Sequence, residues 1–266
     1  MRTNYLRRMN HMPSFDQRRA WNAVAAQYQA EVAPVDALVH YGPWAPSEAE
    51  LHLLGEIRGL YILELGCGGG QSAVALAQQG GEVTGLDLSE VQIDFARRRA
   101  DQAGLQVNFV VGDAAKLEAF TSSAWDLILA TYVMPYIAPI EACLAGCYRL
   151  LRPGGRLIFS LDHPFRTLFF DEEEQELVLY PVRSYFAERP IHWRFPGANR
   201  PMLSHHRTIA TWLELLHNAG LHLVRLVEVQ TPPAVADEQW PEGDPLFSMR
   251  NLPHTAIFVT QKPGAG

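Results

Sequence analysis

The sequence is poor in cysteine and in positive charge. Its 266 residues include only three cysteines, too few for a disulfide framework, so we expect a protein of the cytoplasm. Lys and Arg together number 22 against 29 Asp and Glu, which leaves a formal net charge of -7. Contacts to nucleic-acid phosphates need a surplus of basic side chains on one face, so this charge argues against a nucleic-acid partner.

Long apolar runs and metal-binding motifs are missing as well. The longest apolar-rich run, residues 127–140, has about 14 residues and contains Pro135 and Pro139, whereas a membrane-spanning helix needs about 20. The first residues carry positive charge, but no apolar stretch follows them as in a secretory signal. No CxxC, HExxH or EF-hand pattern occurs. We therefore expect neither a membrane association nor a metal site.

From residue 60 onward the sequence alternates regularly between strand and helix patterns. Short apolar strands are predicted at residues 61–65, 82–88, 107–113, 125–133, 156–162, 221–229 and 254–262. Helical patterns lie at residues 71–79, 90–103, 139–151 and 208–220. Strands that alternate with helices indicate an α/β fold with a parallel sheet covered on both faces.

Two regions depart from this alternation. The first is the N-terminal region, where helices are predicted over residues 14–40 and 48–57. The second is residues 163–207, where we predict two extended pieces after an acidic run, 171–176, that should form a solvated loop.

The extended pieces of this second region span residues 177–186 and 191–195. They interrupt the sheet pattern just where loops on a rigid sheet commonly carry specificity. We expect residues 163–207 to form a small β-rich cap over the carboxyl ends of the strands, with residues 231–253 as a second wall. The whole chain is expected to fold as one globular domain.

The glycine-rich turn after the first of these strands is a candidate ligand site. Residues 64–70 read ELGCGGG, and glycines there let a backbone approach a ligand closely. The second strand ends at Asp87, where a carboxylate can accept both hydroxyls of a ribose. The third strand ends at Asp113, where a carboxylate can accept from an adenine amino group. Three such positions on adjacent strand ends predict a nucleotide site.

The pattern does not match the usual dinucleotide or phosphate loops. Counted from Gly66, the sixth position of G-x-G-x-x-G/A is Gln71, so the fingerprint fails. Counted from Gly68 it ends at Ala73, but that frame runs into the helix. No Gly-Lys-Ser/Thr follows, which excludes a P-loop.

The ordered set ELGCGGG, GLDLS, VVGDA, WDLILA and LRPGG followed by RLIFS resembles the class I S-adenosylmethionine-dependent methyltransferases. It is most similar to the small-molecule branch called type 11 or UbiE-like, over residues 60–162. The resemblance implies a Rossmann-like, doubly wound sheet of seven strands with the last antiparallel. It also implies that S-adenosylmethionine is the cofactor and that a small molecule accepts the methyl group. A methyltransferase that acts on RNA or protein, and a cofactor-binding module without catalysis, remain as alternatives.

The resemblance also implies roles and domains. Residues 60–162 and 208–262 would be the methyltransferase core, and residues 1–59 a helical cap over the cofactor. In the core, Glu64 and the glycine loop would hold the methionine end of the cofactor, and Asp87 the ribose. The cofactor-binding candidates are Tyr28, Tyr41, Glu64, Gly66, Cys67, Gly68, Gly70, Asp87, Leu88, Gln92, Asp113, Ala114, Ala130 and Thr131.

The acceptor pocket of this fold lies over the ends of the fourth and fifth strands. His163 follows the fifth strand, and its ordinary pKa of ~6.5 suits a general base. His205 and His206, just before the helix at 208–220, are rival candidates. The fourth strand lacks the Asn/Asp-Pro-Pro-Tyr motif of enzymes that methylate nucleic-acid amino groups, which also favours a small acceptor. A monomer or a homodimer is expected.

Overall fold

A computed structural model of the protein describes residues 15–31, 38–195, 198 and 200–264. The helices of this part of the chain are α1 (Gln17–Glu31), α2 (Glu48–Leu51), α3 (Gln71–Gln78), α4 (Glu90–Gln102), α5 (Ile140–Leu150), α6 (Ile209–Asn218) and α7 (Pro233–Gln239). Short 3-10 helices span Met134–Tyr136, Arg166–Phe169 and Phe247–Asn251. None of the described helices is long and apolar enough to cross a membrane.

The strands form one large sheet and two small hairpins. They are β1 (Tyr61–Leu65), β2 (Glu82–Asp87), β3 (Asn108–Val111), β4 (Trp125–Thr131), β5 (Leu151–Asp162), β6 (Phe170–Asp171), β7 (Glu176–Leu177), β8 (Pro190–Arg194), β9 (Pro201–His205), β10 (His222–Val229) and β11 (Thr255–Gln261). The large sheet has seven strands in the order β10-β11-β5-β4-β1-β2-β3, and β11 runs antiparallel to both of its neighbours. This order confirms the expected seven-stranded α/β fold with an antiparallel last strand.

Helices cover both faces of the large sheet, because its central strands are apolar on both sides. Ile62 and Leu63 are consecutive in β1 and point to opposite faces. Ile62 packs in one buried cluster with Leu76 of α3 and Ile93 of α4, and Leu63 packs in another with Leu144 of α5. The carboxyl ends of the parallel strands therefore meet at one edge between two helical layers, which is where ligands bind in open α/β sheets.

The helices of the N-terminal region are shorter than predicted. In place of a helix over 48–57, α2 ends at Leu51, because His52 turns into the left-handed region with a φ of 49°. The predicted helix over 14–40 is observed only as α1, and it is wrong at residues 38–40, where His40 forms an isolated bridge with Ser47. Ser14 and residues 32–37 lie outside the described residues. The proposed cap formed by residues 1–59 is thus described only in part.

The insertion of residues 163–207 contains two hairpins, β6–β7 and β8–β9. The extended piece predicted over 177–186 is wrong beyond Leu177, and β9 was not predicted at all. The acidic run is not simply solvated either. Glu172 accepts from Arg189 and forms an ion pair with Arg183, whose side chain is only 5 % exposed.

The second hairpin lies at the carboxyl end of β4. Gln17 of α1 donates from Nε2 to the Leu203 carbonyl of β9 at 2.7 Å, and the ring centroids of Tyr136 and Trp193 are 6.2 Å apart. The segment 231–253 contacts the N-terminal region, where Trp44 donates from Nε1 to Gln239 at 3.0 Å.

Candidate functional site

The glycine loop between β1 and α3 needs glycine for two physical reasons. Gly66, Gly68 and Gly70 have φ values of 64°, 52° and 79°, in the region that other residues rarely adopt. A Cβ on Gly66 would lie 2.4 Å from Cγ2 of Val133, and one on Gly70 would lie 2.9 Å from Cβ of Ala96. Nothing lies within 4 Å of a Cβ on Gly68, so glycine is needed there for its conformation alone.

Asp87 ties the end of β2 to this loop. Its Oδ2 accepts from the backbone N–H of Gly68 at 2.8 Å, and its Oδ1 accepts from the N–H of Ser89 at 2.8 Å. Burial raises the pKa of the carboxyl group, and these backbone donors act in the opposite direction. The carboxylate therefore lies beside the loop, as the sequence predicted, and it also holds the loop in shape.

Glu64, at the end of β1, has an unmet hydrogen-bonding capacity. The residue is 2 % exposed, and its Oε2 is buried with no hydrogen-bond partner. Burial, and then the charge of Asp87, raise its pKa to about 8. A buried carboxyl oxygen without a partner is costly unless something else satisfies it. The arrangement suits a cationic ligand group above the loop.

The remaining cofactor-binding candidates of the core lie at or next to the same strand ends and differ in how far they are buried. Asp113 is half-buried and its Oδ1 accepts from the N–H of Ala115 at 2.9 Å, so the carboxylate shapes the turn after β3. Cys67 is buried, and its thiol pKa is raised by that burial, so this residue offers the site its backbone only. The other members of this set are Leu88 and Ala114, which are half-buried, Ala130, which is fully buried, and Thr131 at the end of β4.

Tyr28 of α1 lies near enough to Asp87 and Glu64 for their charges to act on its hydroxyl. Burial foremost, and then the charges of Asp87 and Glu64, raise the pKa of its hydroxyl. Its ring packs edge-on against Trp21 at 6.0 Å, and Trp21 in turn packs against Tyr136 at 5.4 Å. An aromatic wall thus runs from the glycine loop to the end of β4.

Two of the predicted cofactor-binding side chains form hydrogen bonds with other residues of the protein. Tyr41 is fully buried, and its hydroxyl donates to Glu48 at 2.6 Å, so it anchors the start of α2 instead of facing the loop. Gln92 is 2 % exposed, and its Oε1 accepts from Gln29 of α1 at 2.8 Å. Both side chains thus have partners within the protein, and their contact with a ligand stays a prediction.

The structure does not place His163 with the groups at the end of β4. Its Nε2 lies 2.8 Å from Oε1 of Glu228 on β10, and its Nδ1 accepts from the N–H of Phe165 at 3.1 Å. Successive side chains of a strand point to opposite faces of the sheet, so His163 and the preceding Asp162 face different ways. His163 contacts Glu228 of β10, whereas Asp162 contacts Arg166. Burial lowers the pKa of His163, which leaves a neutral ring with both nitrogens engaged.

His205 and His206 also hold structural contacts. Nδ1 of His205 lies 3.1 Å from the Pro135 carbonyl, and the side chain borders a small cavity that Asp162 also lines. His206 is 4 % exposed, with Nε2 2.8 Å from the Tyr185 carbonyl and Nδ1 2.9 Å from the Thr167 hydroxyl. Burial lowers the pKa of both rings. His206 has no nitrogen left for a reacting group.

The groups that do converge at the end of β4 are Asp162, Arg166, Tyr132 and Tyr136. Oδ1 of Asp162 accepts from Nη1 of Arg166 at 2.8 Å. Burial raises the pKa values of both tyrosines, with the charge of Asp162 next, while Arg166 acts in the opposite direction. Asp162 directly precedes His163, the base predicted from the sequence. Because adjacent residues of a strand point to opposite faces, this position was the available signal for Asp162.

Two features show that this acceptor-side cluster is held firmly. The Arg166 guanidinium lies over the Trp44 ring at 5.1 Å, and its Nε is buried without a partner. Tyr132 adopts a φ of 55°, which aims its hydroxyl at Thr255 Oγ1, 2.6 Å away. Strained residues of this kind commonly occur at functional sites.

Part of the chain matches a known protein family. Residues 62–155 match the model of a family described as a methyltransferase domain. A ubiquinone biosynthesis O-methyltransferase of Coxiella burnetii is 36% identical over 106 residues, which cover 39% of this chain and 44% of that protein. The chain therefore spans less than half the length of that relative.

Solved structures match over more of the chain. An S-adenosylmethionine-dependent methyltransferase from Mesorhizobium loti superposes with a TM-score of 0.67 at 25% identity, covering 80% of this chain and 95% of the other. The 1,6-didemethyltoxoflavin-N1-methyltransferase of Burkholderia thailandensis, solved with 1,6-didemethyltoxoflavin and S-adenosylhomocysteine, superposes with a TM-score of 0.58 at 21% identity. That superposition covers 95% of this chain and 92% of the other, insertion included, and it supports the fold.

Proposed function

We propose that this chain, whose residues 62–155 belong to the methyltransferase domain family and whose fold is that of the S-adenosylmethionine-dependent methyltransferases, transfers a methyl group from S-adenosylmethionine to a small molecule. The observation that carries the proposal is the edge formed by the glycine loop, Asp87 and the unpartnered oxygen of Glu64. A site with one buried and one half-buried carboxyl group and an open glycine backbone fits a cationic nucleoside better than a phosphorylated one.

The residues present fit this cofactor group by group. The unpartnered Oε2 of Glu64 can accept from the ammonium of the methionine end. Asp87 and Asp113, at neighbouring strand ends, are suited to the ribose hydroxyls and the adenine amino group. Bound there, S-adenosylmethionine supplies an activated methyl group on a sulfonium that is already a good leaving group.

The protein's own contribution is alignment and exclusion of water. In-line transfer needs the nucleophile and the methyl carbon about 3–3.5 Å apart, and this geometry can supply much of the rate enhancement. The aromatic wall of Trp21, Tyr28 and Tyr136 closes the space between the glycine loop and the end of β4. Electron-rich ring faces there also favour a positively charged group.

On the acceptor side, Asp162 replaces His163 as the proposed group that receives a proton or hydrogen bond from the nucleophile. Its Oδ1 is fixed by Arg166, and the charge of the carboxylate acts on the two tyrosines that end β4. If the acceptor is a hydroxyl, such a carboxylate can take its proton as the methyl group arrives. His205, which borders the same small cavity, is a second candidate.

The finer assignments remain proposals that the charge and the relatives support. We propose a small acceptor and no nucleic-acid partner, because the net charge is -7. We also propose a cytoplasmic protein, present as a monomer or homodimer, with residues 1–59 and 163–207 as caps on the core. No group of three or more His, Cys, Asp or Glu side chains suited to a metal ion occurs among the described residues.

The test is an acceptor screen with purified protein and methyl-labelled S-adenosylmethionine. We expect release of S-adenosylhomocysteine with at least one class of small molecule, lost in Asp87→Ala and kept in Asp94→Ala, an exposed carboxylate on α4. Failure to bind the labelled cofactor would overturn the proposal. Binding without turnover on small molecules, but with turnover on RNA or protein, would overturn the acceptor class alone.

A further inference from the structure

The side-chain amide of Gln29, on the face of α1 toward α3 and α4, has no role in the function proposed above. Gln29 lies in the last turns of α1, and its side-chain oxygen accepts from Nε2 of Gln71 at 2.8 Å and from Nη2 of Arg99 at 3.1 Å. Its side-chain nitrogen donates to Oε1 of Gln92 at 2.8 Å. One side chain of α1 thus contacts the first residue of α3 and two residues of α4.

The same side chain rests directly on the glycine loop. A Cβ on Gly69 would lie 2.3 Å from the oxygen of Gln29, so only glycine lets the amide approach this closely. Arg99 donates from Nε to the Gly69 carbonyl at 2.9 Å while it contacts Gln29. Gln29 therefore contacts the loop directly by packing on Gly69, and indirectly through its hydrogen bond with Arg99.

A second polar contact lies two helical turns earlier on the same face. Ser89, at the start of α4, donates from Oγ to Oδ1 of Asn22 at 2.6 Å. The apolar contacts of α1 lead elsewhere, because Val24 packs in a cluster with Phe195 and Met202 of the insertion, and Trp21 packs against Tyr136. The contacts of α1 with α3 and α4 described above are polar. Polar contacts of this kind exchange for water at little net cost, whereas apolar burial does not.

We propose that Gln29 is a positioning residue that latches α1, and with it Tyr28, over the cofactor loop, so that it sets the rate at which the cofactor leaves. The inference rests on the proposed function, because it takes S-adenosylmethionine as the ligand of that loop. With the latch made, Tyr28, the neighbour of Gln29 in α1, is held where the charges of Asp87 and Glu64 act on its hydroxyl. With the latch broken, α1 separates locally while the sheet and α3–α6 remain folded.

The experiment compares Gln29→Ala with Gln102→Ala, the same change at an exposed position near the end of α4, using S-adenosylhomocysteine as the probe. Stopped-flow binding should show a dissociation rate raised about tenfold in Gln29→Ala, since three hydrogen bonds are lost, with an association rate that is not lowered. Hydrogen exchange of the ligand-free proteins should show faster exchange in residues 17–31 alone. Gln102→Ala should match the wild type in both.

Each outcome decides a different claim. A dissociation rate within twofold of wild type, or faster exchange spread over the core, would overturn the latch, because a general loss of structure lowers the active fraction without changing the dissociation rate of what remains. Wild-type protein that fails to bind the probe would overturn the proposed function. The hydrogen-exchange comparison then still tests whether Gln29 holds α1.

Discussion

The sheet edge at the carboxyl ends of the parallel strands has a cofactor half, at β1 and β2, and an acceptor half, at β4 and β5. The carboxylates of the two halves are held in different ways. On the cofactor half, Asp87 accepts from the backbone N–H groups of Gly68 and Ser89, so main-chain atoms hold its carboxylate. On the acceptor half, Asp162 is held by the side chain of Arg166, which itself rests on the Trp44 ring. The first carboxylate is therefore held by the main chain and the second by side chains. The comparison explains why a motif can identify the cofactor while the acceptor stays open.

The largest expected effect lies on the acceptor half. Asp162→Asn should lower turnover on a hydroxyl acceptor by about 10²–10⁴, the range for a lost general base, while the affinity for S-adenosylhomocysteine stays near wild type. His163→Ala should leave turnover within a few-fold, because its ring faces Glu228. Steady-state kinetics with the acceptor from the screen measures both. The reverse order of the two variants would restore His163 and remove Asp162.

On the cofactor half, two glycines provide an internal control. Gly66→Ala combines a φ of 64° with a Cβ 2.4 Å from Val133, and should cost about 3 kcal/mol of stability. Gly68→Ala has a φ of 52° but open space, and should cost only about 1–2 kcal/mol. Urea unfolding of the ligand-free proteins gives both values. Equal costs would mean that Val133 moves away freely.

Glu64 should make the cofactor half sensitive to pH. Its pKa of about 8 lies above the ordinary value of 4.5, so the folded protein holds a proton that the unfolded chain releases between these values. Its contribution to the free energy of unfolding therefore falls as pH rises from about 4.5 to 8. Glu64→Gln, compared with wild type by urea unfolding at several pH values, should remove that part of the slope.

Cofactor binding gives the opposite dependence at the same residue. A carboxylate pairs with an ammonium group better than a neutral acid does, so binding should release a proton and tighten as pH rises toward 8. Calorimetry of S-adenosylmethionine in buffers with different ionisation enthalpies measures the proton. No difference in proton release between wild type and Glu64→Gln would show that Glu64 is already ionised in the free protein.

The smallest expected effect shows whether His163, at the end of β5, stabilises the fold or takes part in the reaction. His163→Ala removes a hydrogen bond between β5 and β10 and should lower the free energy of unfolding by about 1 kcal/mol. Glu228→Gln, which keeps a hydrogen-bond acceptor for the ring, serves as the matched control. A stability loss without a rate loss assigns His163 to the fold; a rate loss at unchanged stability would contradict that assignment.

The same contrast explains what the sequence could predict. The large sheet follows from period-2 and period-3.6 patterns, and the glycine loop from residue types whose backbone needs are local. The insertion was harder, because β9 contacts α1 and residues 134–136, which are distant in the sequence, and because Glu172 forms an ion pair with the buried Arg183. Tyr41 and Gln92 are suitable residue types near the site whose partners, Glu48 and Gln29, only the fold reveals.

The central claim, that the loop edge of β1 and β2 binds S-adenosylmethionine, is tested most directly by calorimetric titration of S-adenosylhomocysteine into wild type, Asp87→Ala and Asp94→Ala. We expect saturable binding to the wild type and to Asp94→Ala. In Asp87→Ala we expect affinity lower by about tenfold to a hundredfold, because ribose donors and two backbone N–H groups lose their acceptor. Unchanged affinity in a folded Asp87→Ala protein, or tighter binding of a nicotinamide dinucleotide than of S-adenosylhomocysteine, would contradict the account.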